Sequence, residues 1–497
     1  MERPEAKYDG VIQAWDSLMR APEERLAATS KVAKAAALLD GWRSVAQGEP
    51  ALAAACEHDL GVALAKAGFA HPVLPRVEIT PYILDANTVR ELTRNVRSLC
   101  AIFEQVNRLA LSNVAFMRRL EITPSIEELL RREPEPRLSF EFARLDFSPL
   151  AGGPRFVEFN FDSPRGALLG SRLQQEFLAH ALNARAGISR LMPSAPSPAL
   201  LADLFMAVWA ERGTDNVARP NIGIIDWRET DSRPAQDALL AELRARGLTA
   251  ERVDPREFIY RRQQRELIRG QTRFDLLYRS VSVQDISVRR ALLSDFIEAV
   301  ADGAITLVNC MRSRPATVPL ALEVLTSPEF ESFFSPAENE IKARLLPWTR
   351  KLSQRHSQFH GRDIDLLSFV AQKPERFVIK AANEMGGSEV TLGAQVNREA
   401  WLTRLDEGVR RGDVVQEFVP PVPHSRGTGA DKHLLLSAFA VRGEYAGCTA
   451  FCSDDSVINP QTAAVVPVVE TGGRSKTGCI QAGRPTRKRK PTHTQQN

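Results

Sequence analysis

Polar side chains stand two apart, twice, in one short stretch of this chain: Arg144 and Asp146 in ARLDF, then Glu158 and Asn160 in VEFNF. Both runs are rich in aromatic and other apolar residues, and a turn-rich PLAGGP separates them. This predicts a β-hairpin with strands over Phe140–Phe147 and Arg155–Phe161. Side chains alternate faces along a strand, so each pair shares a side. If even numbers pair with even numbers, all four converge on a single face. Charges are costly to bury unless paired or metal-bound. Two carboxylates and an amide are hard oxygen donors suited to Mg2+, a cation often shared with substrate phosphates. A solvated hairpin face with an Arg–carboxylate pair would use the same residues, and the pattern leaves both readings open. Asp162-Ser163-Pro164-Arg165-Gly166 then ends the run abruptly.

A second candidate cation follows far downstream. Arg376–Ala382 (RFVIKAA) reads as a buried strand with Lys380 near its end. Asn383-Glu384-Met385-Gly386-Gly387-Ser388 comes next, then a strand at Val390–Leu392. A strand-end ammonium before a Gly-Gly loop suits nucleotide phosphates, because glycines let backbone N–H groups approach and let the loop close. A plain hairpin with an exposed lysine has the same appearance. No G-x-x-x-x-G-K-[ST] is present, so this is not a P-loop. Asp413–Pro420 (DVVQEFVP) is a short strand carrying Gln416 and Glu417, with Val419 before its closing prolines.

The elements that must position these groups change character along the chain. Residues 1–130 read as mostly helical. Pro22-Glu23-Glu24 opens an Ala/Leu-rich stretch, and Thr88–Leu120 carries Leu92, Val96, Leu99, Phe103, Val106 and Leu109 at helical spacing. From Pro220 apolar strands at Asn221–Trp227, Leu248–Val253, Arg273–Arg279 and Ala304–Asn309 alternate with helices at Ala235–Arg246 and near Val288–Ala301. That alternation predicts a parallel sheet covered on both faces, with ligands at the strands' carboxyl ends. Asp226, Arg228 and Arg279 lie there, either as acceptor-substrate contacts or as ordinary surface charges. Without G-x-G-x-x-G, no dinucleotide is expected. Leu434–Val441 and Glu444–Cys452 predict a further hairpin around Arg442-Gly443. His356 and His360 would share a helix face but lack a third ligand, so they read as surface histidines. Cys448 and Cys452 read as buried structural cysteines.

R-x-D, then twelve residues from that Asp to E-x-N, then D-S-P, resembles the synthetase domain of glutathionylspermidine synthases. These are circularly permuted ATP-grasp ligases, and the resemblance covers roughly residues 130 to 470 in the order of elements. It implies ATP with two Mg2+ ions held by Asp146, Glu158 and Asn160, while Arg144 and Lys380 act on the transferred phosphoryl group. It also implies a lid at Gly386, Gly387 and Ser388. At Gln416, Glu417 and Val419 it implies a hinge whose backbone reads adenine while a carboxylate accepts ribose hydroxyls. Relatives place a nucleotide-contacting lysine after the strand that ends at Asn309; here Arg312 and Arg314 stand there, with Pro315 intervening. Leu346-Pro347-Trp348-Thr349-Arg350 resembles a segment of the relatives without acquiring a role. Asp454, Asp455 and Asn459 form a rival acidic group, placed late as in unpermuted ATP-grasp enzymes, and the early hairpin matches better.

The implied fold class is α/β (α+β), ATP-grasp-type in permuted order. Its parts are a helical region over 1–130, the hairpin and part of the ATP-grasp domain over 131–215, a Rossmann-like pre-ATP-grasp domain over 216–335, the nucleotide-binding part over 336–470, and a basic tail over 471–497. The implied activity is an ATP-dependent carboxylate–amine ligase acting on a small-molecule carboxylic acid and amine through an acyl phosphate. A small-molecule kinase and a nucleotide-binding pseudoenzyme are the alternatives. The amidase domain with a cysteine nucleophile that often accompanies such synthetases is not legible.

Bulk properties bound these expectations. At 497 residues with 43% hydrophobic and 25% charged residues, the composition is that of a globular chain with several domains. No apolar run reaches the roughly 18 residues of a membrane span, and the N-terminus lacks a signal-peptide core. Six scattered cysteines suggest a reducing cytoplasm. The net charge of +4 includes seven lysines and arginines after Glu470 with no acidic residue, so the remaining body carries −3. No nucleic-acid partner is therefore expected, and the tail reads as disordered, with a small chance of touching RNA or DNA.

Overall fold

The computed structural model describes residues 32–69, 76–212, 219–230, 233–382, 390–425, 431–459 and 462–472. Two N-terminal helices, α1 (Val32–Gly48) and α2 (Pro50–Lys66), bury Trp42, Cys56, Leu60 and Leu64 in an apolar cluster shared with Phe177. α3 (Ala86–Ser112) is capped by Asp85, whose side chain accepts from the Asn87 and Thr88 backbone N–H groups. The expected stripe on α3 is buried at Leu92, Val96, Leu99, Phe103 and Val106. Its Phe103 ring lies 4.3 Å from Phe159 and 4.8 Å from Phe161. Glu104 on the same helix accepts from Ser139 N at 3.1 Å, just before the hairpin begins.

The hairpin comprises β1 (Phe142–Leu150) and β2 (Gly153–Asn160), followed by α4 (Ala167–Ala179). A four-stranded parallel sheet then forms from β3 (Ile222–Ile225), β4 (Ala250–Val253), β5 (Leu276–Arg279) and β6 (Thr306–Val308). Helix α5 (Arg233–Ala245) joins the first two, and the spatial order is β6-β5-β3-β4. The single strand expected over Arg273–Arg279 is two. Asp275 breaks it by exchanging hydrogen bonds with Asn221, and Thr272–Phe274 joins a separate meander with Ile259–Arg261 and Glu266–Arg269.

A smaller antiparallel sheet contains β7 (Thr349–Lys351), β8 (Phe377–Lys380), β9 (Val390–Leu392) and β10 (Val414–Glu417), in the order β7-β10-β8-β9. Helix α6 (Arg398–Arg411) connects β9 to β10. The chain then returns to the hairpin. β11 (Lys432–Val441) and β12 (Glu444–Ser453) turn at Arg442 and Gly443, both at positive φ, and β11 pairs antiparallel with β1. The resulting sheet runs Ala464–Val466, β12, β11, β1, β2, with Val422–His424 alongside β11. Helix α4 and the segment after it, around Ser194, press on this sheet. At Gly447 a Cβ would lie 1.8 Å from the Ser194 carbonyl oxygen, and φ there is +137°. Only glycine fits that contact. Among the described residues, no helix is long and apolar enough to cross a membrane.

Candidate active site

The hairpin register is the one the alternation requires. Arg144 pairs with Asn160 and Asp146 with Glu158, so the four side chains do share a face. The ladder then slips: Phe147 opposes Phe156, which leaves Val157 as a bulge with no partner on β1. The bulge restores Phe156 and Phe159 to one apolar face, where both are buried. It also frees the Val157 carbonyl, which accepts from Lys380 Nζ at 3.1 Å. One local irregularity thus brings the ammonium on the small sheet beside Glu158 on the large one.

Two further clamps fix the hairpin. Asn309, at the end of β6, accepts from the N–H groups of Glu141 and Phe142 at 2.8 and 2.9 Å. Its amide nitrogen donates to the carbonyls of Phe142 and Phe161 at 2.6 and 2.8 Å. Asp162, the acid of D-S-P, forms an ion pair with Arg279, and neither side chain has any exposure. Arg279 also donates to the carbonyls of Asn309, Val281, Asp162 and Cys310. The expectation of Arg279 as a substrate contact or surface charge is thereby corrected: it is a buried brace between parallel sheet and hairpin. Asp226 is buried against Gln236, and Arg228 is exposed in an ion pair with Glu257.

Around the shared face the charges are unevenly balanced. Arg144 donates to Asp146 through Nε and Nη2, both at 2.9 Å, and lies 3.7 Å from Glu158. Burial nevertheless pushes the Asp146 carboxyl above its ordinary range; Arg144 opposes this and Glu158 adds to it. Burial disfavours the Arg144 cation, but Asp146 and Glu158 outweigh it and hold the guanidinium above its ordinary value. Asn160 Nδ2 donates to Glu158 at 3.2 Å. Burial lowers Lys380, with Glu158 and Asp146 opposing the shift. The face thus presents two carboxylates to one arginine, with the Asn160 amide beside them. The donors are hard oxygens, which fits Mg2+. Among the described residues no three His, Cys, Asp or Glu side chains gather in a metal-sized cluster.

A cavity of about 160 Å3 opens between the two antiparallel sheets, lined by Glu158, Asn160, Lys380, Gln416 and Val419 among others. Most of its remaining wall is apolar: Val318, Leu322, Val378, Val414, Phe418 and Ile458. Ser148 Oγ donates to the Pro420 carbonyl at 2.6 Å, tying β1 to the segment after β10.

Not every expected contact reaches this cavity. Glu417 follows Gln416 on a strand and so takes the opposite face. Its buried carboxylate meets His360 Nε2 at 3.0 Å and Arg376 at 3.8 Å. His360 is not on a helix with His356. His356–Phe359 is a strand, and His360 sits in its turn at φ +48°. Arg314 is 2% exposed and is not among the residues lining the cavity. Gly386, Gly387 and Ser388, like the basic tail, lie outside the described residues. Cys448 and Cys452 are buried, while Asp454 and Asp455 are exposed. Sequence reasoning missed Val157, Asn309 and the Asp162–Arg279 pair. Only the acid of D-S-P offered a signal, as a charge directly after an apolar strand.

No protein-family model and no curated protein matches the chain. Among solved structures it is similar to a glutathione synthetase-like effector from Globodera pallida in its apo form. That match has 12% identity and a TM-score of 0.53, covering 83% of this chain and 96% of the other. The likeness is one of overall fold. A gamma-glutamylcysteine synthetase-like protein from Methylobacillus flagellatus aligns at 13% identity and TM-score 0.39, over 78% of this chain and 92% of its own. A RimK-domain ATP-grasp protein from Sphaerobacter thermophilus aligns at 14% and 0.25, over 50% and 89%.

Proposed function

We propose that this chain is an ATP-dependent carboxylate–amine ligase that forms an amide through an acyl phosphate and releases ADP and phosphate. One observation carries the reading: Asp146, Glu158 and Asn160 share a face with Arg144, and the Lys380 ammonium is anchored at the bulge next to Glu158. The likeness of fold to a glutathione synthetase-like effector supports it, and an ATP-grasp-type fold is part of the proposal. Permuted order and kinship with glutathionylspermidine synthases belong to the same proposal, as does a Rossmann-like role for the parallel sheet.

Asp146, Glu158 and Asn160 would hold Mg2+, which when bound supplies charge neutralisation on the nucleotide phosphates. Phosphoryl transfer asks the protein chiefly for positioning and electrostatic support. Arg144 and Lys380 approach the same face from two sides and stabilise charge developing on the transferred group. Gln416 and Val419 are among the residues lining the cavity, and its apolar wall suits a purine ring. The acid and amine are small molecules, with the amine displacing phosphate from the acyl phosphate. The test is a substrate-dependent ADP-release screen over acids and amines. Asp146→Asn and Glu158→Gln are expected to abolish turnover while circular dichroism stays unchanged. Full activity in either variant would refute the metal assignment.

A further inference from the structure

We infer that Thr349 and Gln416 form a positioning relay that holds the Lys380 ammonium where nucleotide phosphates would meet it, an inference that rests on the role proposed above for Lys380. The relay begins at Pro347, whose carbonyl accepts the Thr349 hydroxyl proton at 3.1 Å. With its proton committed, Thr349 Oγ1 offers only lone pairs. Gln416 must therefore turn its NH2 toward Thr349, and Nε2 donates to Oγ1 at 3.2 Å. The amide is planar, so its oxygen faces the other way and accepts from Lys380 Nζ at 2.7 Å. A flipped amide would set donor against donor.

The backbone makes the relay possible. Thr349 stands opposite Gln416 in the β7–β10 ladder, and Gln416 opposite Val378, two residues before Lys380 in β8. Thr349 is fully buried and Gln416 is 2% exposed, so both partners are held within the protein. The two holds on Nζ, Gln416 and the Val157 carbonyl, are neutral acceptors. They orient the ammonium without neutralising it, which leaves its charge available to an incoming anion. The segment Leu346–Arg350, which had no role in the sequence, acquires one.

The test uses the full chain with MgATP as probe, measured by calorimetry from neutral to alkaline pH. Thr349→Val and Gln416→Met are expected to weaken binding about ten-fold, the size of one hydrogen bond to a charged group. Their affinity should also fall away at lower pH than in the parent, because an ammonium that loses an acceptor gives up its proton more readily. Thr349→Ser should restore both properties. A purely structural role would lower the melting temperature without moving the pH limb. Valine and methionine variants that bind within about two-fold of the parent, with the same pH limb, would overturn the relay and leave Lys380's role intact. If the valine variant does not fold, the methionine variant decides alone. Binding by Lys380→Met as tight as the parent's would overturn the role of Lys380 itself.

Discussion

Replacing Asn309 by alanine should release the hairpin from the parallel sheet. The side chain is 1% exposed and makes four hydrogen bonds to backbone groups on both sides of the hairpin, at 2.6 to 2.9 Å. At about 1 kcal/mol net for each, the loss is ~4 kcal/mol, and unpaired backbone groups left in a dry site add to it. With roughly 1.4 kcal/mol per decade, the local opening equilibrium should rise about a thousand-fold. Native-state hydrogen exchange read by mass spectrometry gives this directly. Amides of β1 and β2 should lose protection by that factor, while those of α5 and β4 on the far side of the sheet change little. Because Asp146 and Glu158 ride on these strands, MgATP binding should weaken in parallel. Unchanged hairpin exchange in Asn309→Ala would show that the hairpin is held by its aromatic packing on α3, and the bracing role of Asn309 would be wrong.

Other outcomes follow from the same geometry. MgATP affinity should decline as pH rises through the Lys380 pKa, which burial places below the ordinary lysine value, because only the ammonium attracts phosphate. Glu158→Gln removes a carboxylate that favours the ammonium, so the decline should begin at still lower pH, as calorimetry across pH would show. Gly447→Ala should destabilise the fold by several kcal/mol, since its Cβ would collide with the Ser194 carbonyl at positive φ; thermal unfolding checks this. His360→Ala should cost about 1–3 kcal/mol in urea unfolding, by removing a partner from the buried Glu417 carboxylate.

Much of the positional logic was legible because strands alternate with period two. Spacing alone put Arg144 with Asp146 and Glu158 with Asn160, and the register then joined the two pairs on one face; the strand expected over Arg376–Ala382 is shorter, Phe377–Lys380. The same rule, applied to Gln416 and Glu417, would have separated them: neighbours on a strand cannot both face the cavity. Arg279 was misread because an arginine at a strand end looks the same whether solvent or a buried carboxylate awaits it. Asp162, 117 residues away in sequence, made that choice.

By itself, then, the order of residues determined which groups travel together: the apolar stripe of α3, the oxygen-bearing face of the hairpin, and the alternation that builds the parallel sheet. These are consequences of local periodicity. What tertiary structure alone decided is which of these faces meet. The slip at Val157, the reach of Lys380 across to it, and the chain of donors from Thr349 through Gln416 all join strands far apart in sequence. Hydrogen-bond direction and burial are set by the partner, and no spacing within a single strand encodes them.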